Sequence, residues 1–347
     1  MSSSIVRVLL VADTHLGFDL PFRPRIVRRR RGHDFFANFQ KALEPALRGE
    51  VDLVIHGGDL FYRSRVPEAL VEMAMAPLVQ VAQTGLPVFV IPGNHERSRI
   101  PMHLWRVHPN IHIFDEPKTF HCAVGNVSIA LSGFPFCRRA RGLFRGLVDE
   151  TRGKQAAADI RVLCVHQTVE GAQVGVQDYT FRGGLDVIAG KDIPARFAAV
   201  LCGHIHRSQI LTHDLSGRAL AAPVVYPGAV ERTSFAERDE AKHYAVAEFA
   251  ASGDGRGQLL HVSFVPLPAR PMFSLVVQPD GLSSEVLTRH LRTQLSALEP
   301  EAVVGIQVRG PVSREAVRIL SAAHIRSLAP RKMNVSVKYH SSARFVD

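Results

Sequence analysis

Five short apolar runs, each ending directly in a polar cluster, constrain the fold of this chain more than any other feature. Residues 5–12 (IVRVLLVA), 51–55 (VDLVI), 87–91 (PVFVI), 160–165 (IRVLCV) and 197–201 (FAAVL) are brief and rich in branched residues, which reads as buried strands. Between the first two, Phe35, Phe36, Phe39, Leu43 and Leu47 recur at helical spacing. Between the second and third, Leu70, Met73, Pro77, Leu78 and Val81 do so less cleanly, and Pro77 is expected to bend or interrupt that helix. Strand, helix, strand, helix, strand predicts an α/β fold, with a parallel sheet under covering helices.

The later chain changes character. Residues 120–131 alternate around Gly125-Asn126, which predicts a hairpin. Residues 206–225 and 244–265 read as further antiparallel pairs, with turns at Ser216-Gly217 and at 252–255. The expectation is an α/β core that continues into a second, more antiparallel sheet. The proline-rich stretch 266–271 (PLPARP) punctuates the chain. Beyond it come a strand over 272–277, a helix presenting Leu287, Leu291 and Leu295, a strand over 303–308, a helix over 314–323 and a strand over 335–339. Residues 1–268 are therefore expected to form one large domain, and 272–347 a small α/β cap.

Composition narrows the class. A length of 347 residues, 46% hydrophobic and 21% charged, suits roughly two globular domains and excludes a disordered chain. No apolar run approaches the roughly 20 residues of a membrane span, and the first residues show no signal-peptide pattern, so no membrane partner is expected. Four cysteines without metal-like spacing make no disulfide framework, and a reducing cytoplasm is the expected compartment. The net charge of +10 favours a polyanionic partner. The 17 histidines draw attention to metal or acid–base chemistry.

The clusters at the strand ends are Asp13-Thr14-His15, Gly57-Gly58-Asp59, Gly93-Asn94-His95-Glu96, His166 and Gly203-His204-Ile205-His206. Ligands of α/β sheets bind beyond the carboxyl ends of the strands. Side chains two apart in extended backbone point the same way, so Asp13 and His15 can converge on one ion, as can His204 and His206. Asp59 can bridge two cations, Asn94 offers a neutral oxygen and His166 another imidazole. Such a set suits Mn²⁺, Fe²⁺ or Zn²⁺. Two ions about 3.5–4 Å apart can activate a water and clamp a phosphoryl group for in-line attack. His95, next to a ligand, is free to act as proton donor.

The ordered set D-x-H, G-D, G-N-H-[DE], H and G-H-x-H, running from Asp13 to His206, resembles the calcineurin-like metallophosphoesterase superfamily. The resemblance implies a four-layer αββα metallophosphoesterase sandwich and a dinuclear metal centre. It implies Asp13, His15, Asp59, Asn94, His166, His204 and His206 as ligands and His95 as the catalytic residue, assisting attack by a metal-bound hydroxide on a phosphodiester. The segments ADTHLG, DFFANFQKAL, GGDLFYRSRVP, PGNHE, CGHIHRSQ and YPGAVERTSFAERDE resemble SbcD-type DNA repair nucleases more narrowly. This implies a Mn²⁺-dependent exo- and endonuclease acting on DNA, a small capping domain, a coiled-coil ATPase of the SbcC type as partner, and a homodimer.

Two features depart from that pattern. Tyr62 stands three residues after Asp59, where such nucleases often carry His or Asp, which bears on exonuclease activity. The chain also ends at Asp347 directly after the cap-like segment, so the helical segment that docks on the ATPase is expected to be lacking. The basic segment 22–33 (FRPRIVRRRRGH) is expected to contact DNA backbone through Arg28, Arg29, Arg30 and Arg31, with Tyr62 and Arg63 also facing substrate. His56 is expected to be a packed histidine behind the Asp59 turn. Two other readings stay open: a phosphodiesterase or phosphatase acting on small nucleotides or phosphoproteins, and a DNA-end-binding subunit that needs a partner for activity.

Overall fold

The structure, a computed structural model, describes residues 5–19, 30–96, 107–153, 157–175 and 177–346. The chain runs β1 (Val6–Val11), α1 (Arg31–Leu47), β2 (Leu53–His56), α2 (Glu68–Gln83), β3 (Val88–Val90), β4 (Ile111–Ile113), β5 (Lys118–Val124), β6 (Val127–Gly133), α3 (Ala140–Glu150) and β7 (Ile160–His166). Four two-residue strands follow: β8 (Thr168–Val169), β9 (Gln173–Val174), β10 (Tyr179–Thr180) and β11 (Val187–Ile188). Then come β12 (Ala199–Gly203), β13 (Gln209–His213), β14 (Ala219–Tyr226), β15 (Lys242–Ala250) and β16 (Gln258–Leu267).

These strands build two six-stranded sheets, ordered β16-β15-β1-β2-β3-β4 and β13-β14-β12-β7-β6-β5. In the first, β1 to β4 are mutually parallel, and the β15–β16 hairpin closes one edge antiparallel to β1. In the second, β14, β12, β7 and β6 are parallel, and β13 and β5 add antiparallel edges. The second sheet is thus parallel at its centre, not mainly antiparallel. The hairpin at 242–267 belongs to the first sheet. Alternating apolar residues identified the hairpins, but local pattern carries no information on which distant strand a hairpin pairs with.

Alternation across each strand makes two faces. Val8 and Leu10 of β1, Leu53 and Ile55 of β2, and Ala245 and Ala247 of β15 meet Ile129 and Leu131, Val162 and Cys164, and Leu201 in a core shared by the two sheets. A fully buried Leu, Ile or Phe there contributes about 1.5–3 kcal/mol. The other face of the second sheet, with Leu163, Val165, Val200 and Cys202, is covered by Ala140, Phe144 and Val148 of α3. Helix α1 buries Phe35, Phe39, Ala42, Leu43 and Ala46, and Phe39 meets the ring of His56 at the end of β2. Sheets flanked by helices are the α/β architecture expected.

Helix α2 runs on through Pro77 instead of breaking there. Pro77 lies on the buried face with Leu70, Ala74, Leu78 and Val81. Burial offsets the single missing N–H bond, and Met73, whose carbonyl would accept it, is exposed.

Two units divide the chain. The first takes the described parts of Met1–Phe18, Asp34–Arg232 and Glu240–Pro268. The second takes those of Asp19–His33, Thr233–Asp239 and Ala269–Asp347. In the second, β17 (Met272–Val277), β18 (Val303–Val308) and β20 (Asn334–Tyr339) form a parallel sheet, and β19 (Pro311–Ser313) pairs with β21 (Arg344–Val346). Helices α4 (Ser284–Ser296), α5 (Arg314–Ile319) and α6 (Ala322–Leu328) supply Leu287, Leu291, Leu295, Ile319 and Ile325 to its core. The helix expected over 314–323 is two helices. Ser321 accepts a bond from the His324 N–H and so starts α6 as an N-cap.

Candidate metal centre

The loops that follow β1 and β2 run side by side. Asp13 N–H donates to Gly58 O (2.9 Å), His15 N–H to Asp59 O (3.0 Å) and Leu16 N–H to Leu60 O (2.8 Å). Within this pairing the backbone is forced out of ordinary regions. Asp13, His15 and Asp59 have φ of 51°, 43° and 52°, and His204, just past β12, has 85°. Left-handed backbone at a non-glycine residue costs about 1–2 kcal/mol, so these positions are held by their surroundings.

The first sheet delivers Asp13, His15, Asp59 and Asn94, and the second delivers His166, His204 and His206. Their ligand atoms form overlapping groups: Asp13, His15 and His206 in one, Asp59, His166 and His204 in another, and His15, Asp59 and His95 between them. Atoms within each group lie within 4.8 Å of one another. Asn94 Oδ1 is 3.2 Å from His166 Nε2, which places it with the second group. All seven expected ligands and His95 are therefore brought together.

The surrounding bonds orient the donors. His166 Nδ1 lies 2.7 Å from Gly57 O, so that nitrogen carries the proton and Nε2 turns toward Asp59 Oδ2 at 3.5 Å. Gly58 is required beneath it, because its φ is 106° and a Cβ there would come within 2.3 Å of His166 Nδ1. The His204 N–H donates to Asp13 Oδ2 (2.9 Å), locking the second sheet's loop to the first sheet's carboxylate. His15 Nε2 and His206 Nε2 face each other at 3.0 Å, and buried His15 Nδ1 has no hydrogen-bond partner. Two imidazole nitrogens so placed suit a shared cation.

The electrostatics agree. Burial lifts Asp13 to about 6 against the pull of His166 and His206. Burial also opposes charge on His166, yet Asp59 and Asp13 outweigh it and hold that imidazole up at about 9. Asp59 lies well below the usual carboxylate range, because His166, His15 and His95 overcome its burial. Burial depresses His15 and His204, the latter to about 3, with neighbouring histidines adding to it. The carboxylates thus require positive charge, which a proton on His166 partly supplies. The donor set fits divalent cations of the borderline kind.

His95 borders the cluster. Its Nδ1 sits 2.5 Å from the Tyr62 carbonyl, so Nε2 faces the cluster, 3.8 Å from Asp59 Oδ2. Its N–H donates to Asp59 Oδ1 (2.9 Å). Tyr62 thus contributes its main chain, while its ring stands edge-on to His15 and Phe18. Arg63 is exposed, its guanidinium 5.7 Å above the Tyr62 ring. Arg30 pairs with Asp19 inside the second unit, and Arg31 is buried there, its N–H bonded to Asp19. Arg28 and Arg29 lie outside the described residues.

Sequence reasoning passed over two supports. Buried Glu96 accepts N–H bonds from Asp59, Phe61 and Gly93 (2.6–3.0 Å), tying the β2 and β3 loops together. Burial and the Asp59 charge push its carboxyl up to about 8 while the N–H bonds from Phe61 and Gly93 pull it down. Its position at the end of the G-N-H-E run was the available signal. Thr14 was the other. Buried His56, pulled to about 3 by burial and then by His166, accepts the Gly58 N–H at Nδ1. Its Nε2 therefore donates to Thr14 Oγ1 (3.1 Å), which donates to Leu60 O (3.0 Å).

Acidic, amide and imidazole donors gathered at the carboxyl ends of two packed sheets define a metal-dependent hydrolase. Residues 6–208 match the family model described as Calcineurin-like phosphoesterase, and the chain belongs to that family. It is 24% identical over 327 residues to the DNA double-strand break repair protein Mre11 of Archaeoglobus fulgidus, covering 89% of this chain and 69% of that one. It is 28% identical over 323 residues to the protein of the same name from Methanosarcina mazei, covering 89% and 46%. Against that of Thermoplasma acidophilum it is 24% identical over 330 residues, covering 88% and 77%. The chain thus spans less than half the length of the Methanosarcina relative. No helix among the described residues is long and apolar enough to cross a membrane.

Proposed function

We propose that this chain is a DNA nuclease of the repair type, using two divalent ions, Mn²⁺ in the first instance. The observation that carries the reading is the orientation of His95, whose Nδ1 is engaged by the Tyr62 carbonyl so that Nε2 faces the ligand cluster. Asp13, His15, Asp59 and His206 hold one ion in this reading, and Asp59, Asn94, His166 and His204 the other. Ions bound there supply Lewis acidity toward the phosphate oxygens and lower the pKa of a bound water. The Gly57 carbonyl keeps His166 in the tautomer that offers Nε2. As an imidazolium, with its Nδ1–H held by the Tyr62 carbonyl, His95 would give its Nε2 proton to the departing oxygen and keep the other. The relatives named for double-strand break repair and the +10 net charge favour DNA as substrate. Arg63 and the basic residues of 23–29 supply phosphate contacts whose strength falls with salt, whereas Arg30, paired with Asp19, and buried Arg31 are left out of them. A dimer and an SbcC-like ATPase partner remain part of the proposal.

Metal-free protein reconstituted with Mn²⁺ is assayed on linear single-stranded, blunt and hairpin DNA. Wild type degrades at least one of them. His95→Ala keeps its Mn²⁺ affinity and loses about 10²–10⁴-fold in rate, the span of a general acid. Turnover of cyclic dinucleotides with every DNA left intact would replace this reading with the small-nucleotide one. Salt-sensitive DNA binding without hydrolysis would replace it with the end-binding one.

A further inference from the structure

His206 is part exposed, unlike Asp13 and His15 with which it groups. Packing alone therefore does not set its position. The backbone behind it does. Lys242, at the start of β15, is fully buried at 0% exposure. Its Nζ donates to the His206 carbonyl (3.0 Å) and to Glu240 Oε2 (3.1 Å). Glu240 Oε1 accepts from Arg207 Nε (3.2 Å) and from the Gly175 N–H (3.2 Å). Arg207 then reaches Gly175 O (2.5 Å) and Asp178 Oδ1 (2.6 Å). The Ala229 N–H adds a second bond to the same His206 carbonyl (3.1 Å).

A buried ammonium is retained only where acceptors compensate its desolvation. One of the acceptors here is the main chain of a ligand residue, and the paired carboxylate grips the side chain of the very next residue. The dipeptide His206-Arg207 is therefore held through its carbonyl and its guanidinium by one Lys242–Glu240 pair. We infer that Lys242, Glu240 and Arg207 are positioning residues that hold His206 on the ion it shares with Asp13 and His15, and so tune that ion's affinity separately from its neighbour's. This rests on the two-ion reading above.

The test titrates the metal-free 347-residue protein with MnCl2 by calorimetry, with electron paramagnetic resonance at saturation. Wild type is expected to take two ions and show a spin-coupled pair. Lys242→Met and the double variant Glu240→Gln/Lys242→Met are expected to keep one ion and show an isolated Mn²⁺ signal. Lys242→Arg, which restores a donor, recovers part of the second site. Arg207→Gln binds both, the weaker ion loosened about 10-fold or more, as is usual when a group supporting a ligand is removed. Should the Lys242 variants prove unfolded by circular dichroism, Arg207→Gln decides, because its side chain is part exposed. Wild-type affinity at both sites in a folded variant overturns the inference. Equal weakening of both sites also overturns it, since that marks a general loss of structure. A wild type that takes a single ion refutes the two-ion reading instead.

Discussion

Gly58→Ala separates two costs that the site imposes on one backbone position. At φ 106° a methyl group is strained whatever surrounds it, and here it would also meet His166 Nδ1 at 2.3 Å, His166 Cγ at 2.8 Å and Ile91 O at 3.0 Å. Gly85 is the internal control: its φ is 94°, and a Cβ there has nothing within 4 Å. Strain alone should cost about 1–2 kcal/mol, so Gly85→Ala is expected to lose that much. Overpacking adds about 1–3 kcal/mol, which puts Gly58→Ala at about 2–5 kcal/mol. The cheapest relief for the clash is displacement of the His166 ring, which breaks its 2.7 Å bond to Gly57 O. Gly58→Ala should therefore also lose Mn²⁺ affinity, whereas Gly85→Ala should not. Urea unfolding of the metal-free proteins gives the first quantity and calorimetric Mn²⁺ titration the second. Equal stability losses in the two variants, with Mn²⁺ affinity unchanged in both, would refute the argument that His166 is wedged against Gly58.

Other expectations follow from the same geometry. Holding a cation requires Asp13 and His166 to give up protons, and they titrate at about 6 and about 9; Mn²⁺ affinity should rise roughly tenfold per pH unit for each proton displaced, and titration in buffers of different ionisation enthalpy should register proton release. His56 and His204 have folded-state values near 3, below the unfolded 6.5. The unfolded chain binds the extra protons below about pH 6.5, which lowers metal-free stability as pH drops. Between about pH 6 and 4.5 this is opposed by Asp13 and Glu96, which are raised to about 6 and about 8 and bind protons first in the folded state. Below about 4.5 that opposition fades while the two histidines still gain protons on unfolding, so metal-free stability should fall most steeply from about pH 4.5 toward 3; a flat circular dichroism profile in that window contradicts it. Thr14→Val keeps the shape but leaves the buried His56 Nε2–H without its partner and takes one of two donors from the Leu60 carbonyl, which should cost about 1–3 kcal/mol in urea unfolding. Tyr62→Phe preserves the carbonyl that orients His95 and should leave DNA hydrolysis at the wild-type rate; a large loss would assign the work to the phenol.

Much of the fold was legible because burial leaves a composition trace. The apolar runs at β1, β2, β3, β7 and β12 announced themselves, and the polar clusters marked their carboxyl ends. Seven ligand candidates and His95 were legible because a metal site needs particular donors. What stayed hidden depends on distant partners. Nothing local told the hairpin at 242–267 to join β1, nor the strands near 160 and 200 to form a sheet of their own. The second helical segment of the C-terminal unit looked continuous because Ser321 reads equally well as a helix surface residue or as an N-cap. Lys242 carried no signal at all: a lysine opening a strand is ordinarily solvated, and only the fold reveals that it supports His206.

The division of the ligands between two sheets has a consequence for the order in which the protein is made. A nascent chain that has completed β1 to β6 owns Asp13, His15, Asp59 and Asn94, but none of the three imidazoles from the other side. It therefore lacks a finished trap for an ion, and β1 still has an open edge awaiting β15. Loading must wait until His206 has been synthesised and the sheets have docked. In the two-ion reading proposed above, an ion held there would act as a clasp across the seam, adding about 1.4 kcal/mol for each tenfold excess over its dissociation constant. Metal content is then a gauge of sheet docking, and mutations in the shared core, far from any ligand, should reveal themselves first as leakage of the ion.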